Sequence, residues 1–421
     1  MPQVKPEVEA FARIKVIGCG GSGKNATNHM INSKVRGVDF IAVNTDSQDL
    51  HNSLSKKKIH IGKNLTRGLG TGMNPELGKR AAEETKEEIQ NSLKGADMVF
   101  IACCMGGGTG TGSAPIVAQV AKDLGILTVA VVTKPFSFEG TQRNKIADNG
   151  LADLKKSVDA LIVIPNDRLL QTVSRDTSAK NAFSMCDEVL KQAVEGISDL
   201  ITTPGIINID FADIRAVMEN AGPALMGVGT AIGEKRAEDA ARMAINSPLL
   251  DISINGAKGV LFSIAGGDDL GMLEIQDAAK VITESIDPEA KVIFGTVKDE
   301  RLKKGEVKVT VIASGFPEPS VYKASTTNSL LSFQRGDFGG STSKVEEAPR
   351  GRIYNTQEPV TAPIAQSFSA TEIQINRVEV ETEPEIISVS NDDTSKKIII
   401  DDTQDDDWGA VPAFLRRSKL K

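Results

Sequence analysis

Aromatic residues are scarce in this chain. They make up 4% of its 421 residues, with one Trp and two Tyr. Trp408 lies near the C-terminus and Tyr322 and Tyr354 in a Ser/Thr/Pro-rich stretch, so a folded body ending near Phe316 is built from aliphatic side chains and a few Phe. Cysteine is sparse too: Cys19, Cys103, Cys104 and Cys186 have neither metal-ligand nor disulfide-framework spacing, which fits a reducing cytoplasm. His29, His51 and His60 also lack ligand spacing, so no metal held by protein side chains is expected. The longest apolar run, Ile126 to Val132, falls far short of the roughly 20 residues of a membrane-spanning helix. The N-terminus, MPQVKPEVEAF, lacks the charged-then-apolar layout of a signal peptide. A positive balance is missing as well: the formal net charge of -7 argues against a nucleic-acid binder. With 40% apolar residues the chain can bury substantial cores in two or three domains.

Glycine, in contrast, is abundant and clustered. Met105 to Gly112 reads MGGGTGTG between an apolar strand-like run, Met98 to Ala102, and the helix-opening residues Ser113 and Pro115. Glycines 106, 107, 108, 110 and 112 strip side chains from the loop, so backbone N–H groups can approach a bulky anion at the positive end of the next helix. Thr109 and Thr111 add hydroxyl donors. A phosphate site is the natural reading, against the alternative of a flexible surface loop.

A second such turn, GCGGSGKNATNHM, begins at Gly18 after the strand Ile14 to Ile17. Gly18 to Lys24 matches the Walker A spacing, but Asn25 stands where a Ser or Thr should reach magnesium. Gly18, Gly20 and Gly23 also fit a dinucleotide turn, and Asp46 supplies an acid at the end of the next strand, Phe40 to Val43. A third glycine turn, TRGLGTGMNP from Thr66, precedes a helix with a solvated face of Glu76, Lys79, Glu83, Glu84 and Glu87. Further strand-loop units follow at Ile126 to Val132 and Ala160 to Ile164. This rhythm predicts a doubly wound parallel sheet, an α/β fold whose loops gather at the C-terminal edge of the strands. Three glycine loops there suit a nucleotide with two or three phosphates.

Asn181 to Ile201 reads as a long central helix, with Phe183, Cys186, Leu190, Val194, Ile197 and Ile201 at helical spacing. NIDFADI follows, with Asp210 and Asp213 at the opening turn of a new helix, where on spacing alone capping is the favoured reading. A second, smaller αβ domain with a mixed sheet runs to about Phe316. Its strands are expected at Ala224 to Thr230, Gly259 to Ala265, Ala290 to Thr296 and Val307 to Ser314, and its helices around Glu234 to Ile245 and Met272 to Ser285. Beyond Pro317 the composition predicts a disordered C-terminal tail. After an acidic run, the peptide Trp408 to Arg417 presents Phe414, Leu415, Arg416 and Arg417 as a docking segment.

Taken together, MGGGTGTG, GCGGSGKNA, NTDSQDL, TRGLGTGMNPELGKRAAEE, TKPFSFEG, IPNDRLL, TTPGIINIDFADI and the terminal PAFLRR closely resemble the tubulin/FtsZ family, in its bacterial cell-division branch. The resemblance covers roughly residues 12 to 316 and the tail peptide. It implies a self-assembling GTPase that forms head-to-tail filaments for the division ring. GTP and GDP, with Mg2+ accompanying the nucleotide, are the implied ligands. By similarity, Gly20, Gly21, Ser22, Gly23, Lys24, Asn25 and Gly106, Gly107, Gly108, Thr109, Gly110 hold phosphates, with Asn44 nearby and Gly70, Thr71 and Gly72 near the terminal one. Pro135, Glu139 and Arg143 belong to the ribose and phosphate side, and Asn166, Phe183 and Asp187 to the guanine pocket. Asn208, Asp210 and Asp213 would enter the site of the next subunit, where the two acids position the attacking water.

The implied organisation is a flexible segment 1–11, a GTP-binding domain 12–177, the central helix 178–202, a catalytic loop and helix 203–221, the second domain 222–316, a linker 317–400 and a docking peptide 401–421. The peptide 408–417 would meet membrane-tethering and regulatory division proteins, placing the protein in the cytoplasm at the division site, with no membrane insertion and no nucleic-acid partner. Ser22, Lys24 and Thr71 depart from the family's usual residues, as do Cys103 and Cys104; Lys24 is expected on the solvent side. A GTP-holding protein that barely hydrolyses, and a nicotinamide-dependent oxidoreductase, are the alternatives.

Overall fold

Short runs that are apolar at every position, not alternate ones, make strands buried on both faces, and this chain repeats them. The computed structural model describes residues 12–171, 177–247, 254, 256–299 and 301–316. The segment 1–11, the linker 317–400 and the peptide 401–421 lie outside the described residues. The strands are β1 (Ile14–Cys19), β2 (Val38–Asn44), β3 (Lys57–His60), β4 (Met98–Cys104), β5 (Leu127–Lys134), β6 (Ala160–Pro165), β7 (Gly222–Ile232), β8 (Gly259–Gly266), β9 (Lys291–Lys298) and β10 (Glu306–Ser314). Between them run α1 (Gly20–Asn32), α2 (Ser47–His51), α3 (Lys63–Thr66), α4 (Pro75–Glu84), α5 (Lys86–Leu93), α6 (Thr109–Asp123), α7 (Thr141–Ser157), α8 (Asn166–Leu170), α9 (Ala179–Thr202), α10 (Phe211–Met218), α11 (Arg236–Ile245) and α12 (Met272–Thr283).

The strands form one sheet in the order β3-β2-β1-β4-β5-β6-β7-β10-β8-β9. Neighbours pair in parallel except at β10, which is antiparallel to both β7 and β8. The expected mixed sheet is therefore present, but it continues the parallel one, because Ala160, Leu161 and Ile162 of β6 pair with Gly222, Pro223 and Ala224 of β7. The acidic helix anticipated after Pro75 is two helices, since it breaks at Thr85 between α4 and α5.

Alternate residues of the strands divide between two cores. Val16, Phe100, Val129 and Ile162 pack with α1, α9 and α10. Ile17, Ile101, Ala130 and Leu161 pack with the helices of the opposite face, α4 to α7. A third core places α11 and α12 against β7, β8 and β10. On α9 the stripe Val189, Leu190, Val194, Ile197 and Leu200 is buried. At about 2 kcal/mol for each such side chain this contributes on the order of 10 kcal/mol, before the entropy of ordering the chain is subtracted. No helix among the described residues is long and apolar enough to cross a membrane.

Candidate functional site

Because β1, β2, β4, β5 and β6 are parallel, the loops that follow them emerge at one edge of the sheet. α1 and α6 start there, and neither has a side chain capping its first turn, nor an acidic residue within it. α2, α4 and α10, by contrast, are capped by Asp46, Asn74 and Asp210. The first-turn N–H groups of α1 and α6 are thus available to an anion, reinforced by both helix dipoles.

The two turns touch. Gly20 has φ +74, and a Cβ there would come within 2.9 Å of the Gly110 nitrogen. At Gly108 a Cβ would lie 2.2 Å from Thr71 Oγ1 and 2.7 Å from the Asn74 nitrogen. No side chain fits between the central loop and the 70–74 turn. Hydroxyls converge at the same point: Thr109 Oγ1 is 2.7 Å from Thr45 Oγ1 and 3.2 Å from Thr71 Oγ1. Around Gly107, Gly70 and Gly72 there is open space.

Next to this cradle, Gly106 faces Pro135 and the Arg143 carbonyl. Glu139 accepts from Arg143 at 3.0 Å and from the Phe136 N–H at 3.0 Å. Phe183 meets Phe136 edge-on at 5.5 Å. Asn166 is buried, and its Oδ1 has no hydrogen-bond partner among the described residues. Burial pushes the Asp187 carboxyl up to about 7, against the pull of His29 and Lys24 nearby. A buried Asn166 acceptor beside the half-buried carboxylate of Asp187 suits a ligand that brings N–H donors.

Lys24 is not on the solvent side. Its side chain is 2% exposed, and Nζ lies 2.9 Å from Asp49 Oδ1. An ammonium so enclosed needs a carboxylate, and Asp49 supplies it from 25 residues further on. Neither competing reading of the first turn finds its residue either: this lysine is committed to Asp49, and Asp46, the acid a dinucleotide turn would use, caps α2. Thr45, Asp49 and Phe136 were not singled out in the sequence. Thr45 could have been, as a hydroxyl flanking the strand end at Asn44.

Asn208, Asp210 and Asp213 are not brought to this cradle. Asp210 Oδ1 accepts from the Asp213 N–H at 2.8 Å, and Asn208 Oδ1 from the Gly205 N–H at 2.7 Å; all three residues are exposed. One turn further, Arg215 donates to the Gly125 carbonyl, just before β5 begins. The acids therefore sit toward the N-terminal edge of the parallel strands, a β5 length of about 25 Å from the phosphate loops. Phe183 and Asp187 lie near the start of α9 and the acids just beyond its end, and 24 helical residues span about 36 Å.

The cleft between α11 and α12, lined by Glu234, Glu238, Arg242 and Lys280, has no part in this arrangement. It lacks glycine loops, and its cations are paired with nearby carboxylates: Arg242 with Glu238 and Lys280 with Glu284.

Compared with known proteins, residues 13–174 match the GTPase domain of the tubulin/FtsZ family and residues 222–317 the C-terminal domain of the FtsZ family. An empty FtsZ dimer from M. jannaschii is 47% identical, with a TM-score of 0.70, over 73% of this chain and 89% of that one. Two more distant structures from Haloferax volcanii share the fold. The GTPgS-bound protofilament of CetZ2 is 22% identical over 73% of this chain and 94% of its own, with a TM-score of 0.62. The GDP-bound CetZ1 monomer is 23% identical over 73% and 95%, with a TM-score of 0.63.

Proposed function

The chain belongs to the FtsZ branch of the tubulin/FtsZ family and carries its GTPase domain, and from that premise we propose that it hydrolyses GTP in a site two subunits share, within a head-to-tail filament. One observation carries the shared site: the phosphate cradle and the acids Asp210 and Asp213 occupy opposite ends of α9. A head-to-tail neighbour would bring its acids to the triphosphate.

The first turns of α1 and α6 hold the phosphates through backbone N–H groups, and Thr71 and Thr109 offer hydroxyls; the Thr45 hydroxyl is buried against Thr109 and does not reach them. Phe183 stacks on guanine, while Asn166 and Asp187 accept from its N–H edge. Glu139 and Arg143 face the ribose side. Across the interface Asp213 and the free oxygen of Asp210 orient and polarise the attacking water, and the amide of Asn208 donates beside them. Mg2+ would offset charge on the phosphates. The described residues contain no cluster of acidic, His or Cys ligands for a metal, whereas the threonine hydroxyls suit a hard cation held chiefly by phosphate and water. Assembly places the protein in a division ring in the cytoplasm, with the peptide 408–417 as its tether to membrane-bound partners.

The concentration dependence of hydrolysis tests this reading. Specific GTPase activity should be very low in dilute protein and rise steeply above a threshold, because a lone subunit lacks the acids that position water. Activity that stays constant on dilution would refute the shared site.

The shift at Asp187 gives a second expectation. The folded, nucleotide-free protein holds a proton at pH values where the unfolded chain has lost it, so stability falls as pH rises from the ordinary 3.8 to about 7. Guanine donors need the ionised carboxylate. GTP affinity should therefore drop by up to about tenfold per unit as pH falls below 7. Asp187→Asn should flatten both profiles; an unchanged affinity profile in that variant would remove Asp187 from the base pocket.

A further inference from the structure

Lys24 and Asp49 form an ion pair that phosphate binding by backbone N–H groups does not require. Their side chains are 2% and 8% exposed. Desolvating both charges is unfavourable unless additional hydrogen bonds hold them, and two apolar residues would stabilise the same space more simply.

The additional bonds lead from the pair to the phosphate loops. Asn44 Nδ2 donates to Asp49 Oδ2 at 2.8 Å. Asn44 Oδ1 in turn accepts from the backbone N–H of Thr45 at 2.8 Å and of Asp46 at 3.3 Å. The Thr45 hydroxyl then meets that of Thr109, and Thr109 that of Thr71. The backbone follows the same route, since Ser47 N–H donates to the Gly68 carbonyl and Asp46 pairs with Leu69 in an antiparallel bridge. One continuous set of contacts thus joins α1, the 44–49 segment, the central loop and the 68–72 turn.

We propose that Lys24 and Asp49 are positioning residues: their pair fixes the 44–49 segment to α1 and, through Asn44, Thr45 and Thr109, sets the place of Thr71 and the glycine turn against the terminal phosphate of GTP. This rests on the GTP reading above. Lys24 then acts without touching nucleotide, and its effect falls on the phosphate that distinguishes GTP from GDP.

The experiment compares Lys24→Met, Asp49→Asn, the double variant Lys24→Met/Asp49→Asn, and Thr45→Val, all in the full chain. Tm is read together with the equilibrium affinities for GTP and GDP, below the assembly threshold. Each single change at the pair leaves a buried charge unpartnered and should lower Tm; the neutral double variant should regain most of that loss. Thr45→Val keeps its shape and cuts only the hydroxyl link. In the double variant and in Thr45→Val, GTP affinity should fall about tenfold while GDP affinity changes by less than about threefold, the scale of one strong hydrogen bond. Equal losses for both nucleotides, or none, in these two variants would overturn the inference and leave the pair a packing feature. A wild-type protein that binds neither nucleotide would overturn the GTP reading, and this inference with it.

Discussion

Asp213→Ala and Asp210→Asn are expected to reduce GTP turnover on the order of a hundredfold or more, the scale of losing a positioned catalytic group, while GTP affinity stays unchanged. The substitutions are chosen on local structure. Asp210 caps α10 by accepting from the Asp213 N–H, and Ala at that position would cost the helix about 1 kcal/mol. Asn keeps the cap and removes the charge. Asp213 is exposed and contributes its backbone N–H to the cap, so Ala leaves α10 in place. The defect should appear in kcat with little change in KM, because the acids meet water and not the bound nucleotide. Filaments of either variant should persist longer in GTP than those of the wild type. If the variants instead bind GTP weakly, the acids serve the pocket of their own subunit, and a separation of about 36 Å, the length of α9, would have to be closed by a rearrangement.

Gly108→Ser should have the other large effect, on binding. The new Cβ would lie 2.2 Å from Thr71 Oγ1 and 2.7 Å from the backbone nitrogen of Asn74. The second contact cannot relax easily, because Asn74 holds α4 by accepting from the N–H groups of Glu76 and Leu77. Either the start of α6 or the 70–74 turn must move. Losing two charge-assisted hydrogen bonds to phosphate, at about 1.5–3 kcal/mol each, lowers GTP affinity by roughly a hundredfold or more. Overpacking costs a further 1–3 kcal/mol or so of stability. Equilibrium binding of GTP and thermal unfolding, measured separately, divide the two effects. Unchanged affinity would reduce the central loop to a connector.

The parts of this fold legible in the sequence are those with a local physical signature. MGGGTGTG could be read because a fully apolar strand and a helix start bracket it, and α9 because an apolar stripe recurs along most of its 24 residues. β3 and α3, of four residues each, are too short to show a period, and their place is set by pairing with β2 and packing on α4. The joining of the two sheets depends on three residue pairs between β6 and β7, which no local pattern announces. At the site the loops were legible and the connections between them were not. Lys24 was misplaced because the residue that buries it, Asp49, lies on a different element. The acids at 210 and 213 look like capping residues in one chain, and in one chain Asp210 is one; their proposed chemistry exists only where two chains meet.

Mixing two inactive proteins tests the shared site most directly. Gly108→Ser protein binds GTP roughly a hundredfold more weakly, and is left empty at limiting GTP, but retains Asp210 and Asp213, while Asp213→Ala protein holds GTP but cannot position water for its neighbour. Each alone should turn over GTP at no more than about a hundredth of the wild-type rate. In a mixture, the Asp213→Ala subunit supplies the nucleotide and the Gly108→Ser subunit the acids, so activity should rise well above the sum of the two, and rise with the concentration of either. A mixture that never exceeds that sum, with both proteins folded and associating, would contradict a site shared between subunits.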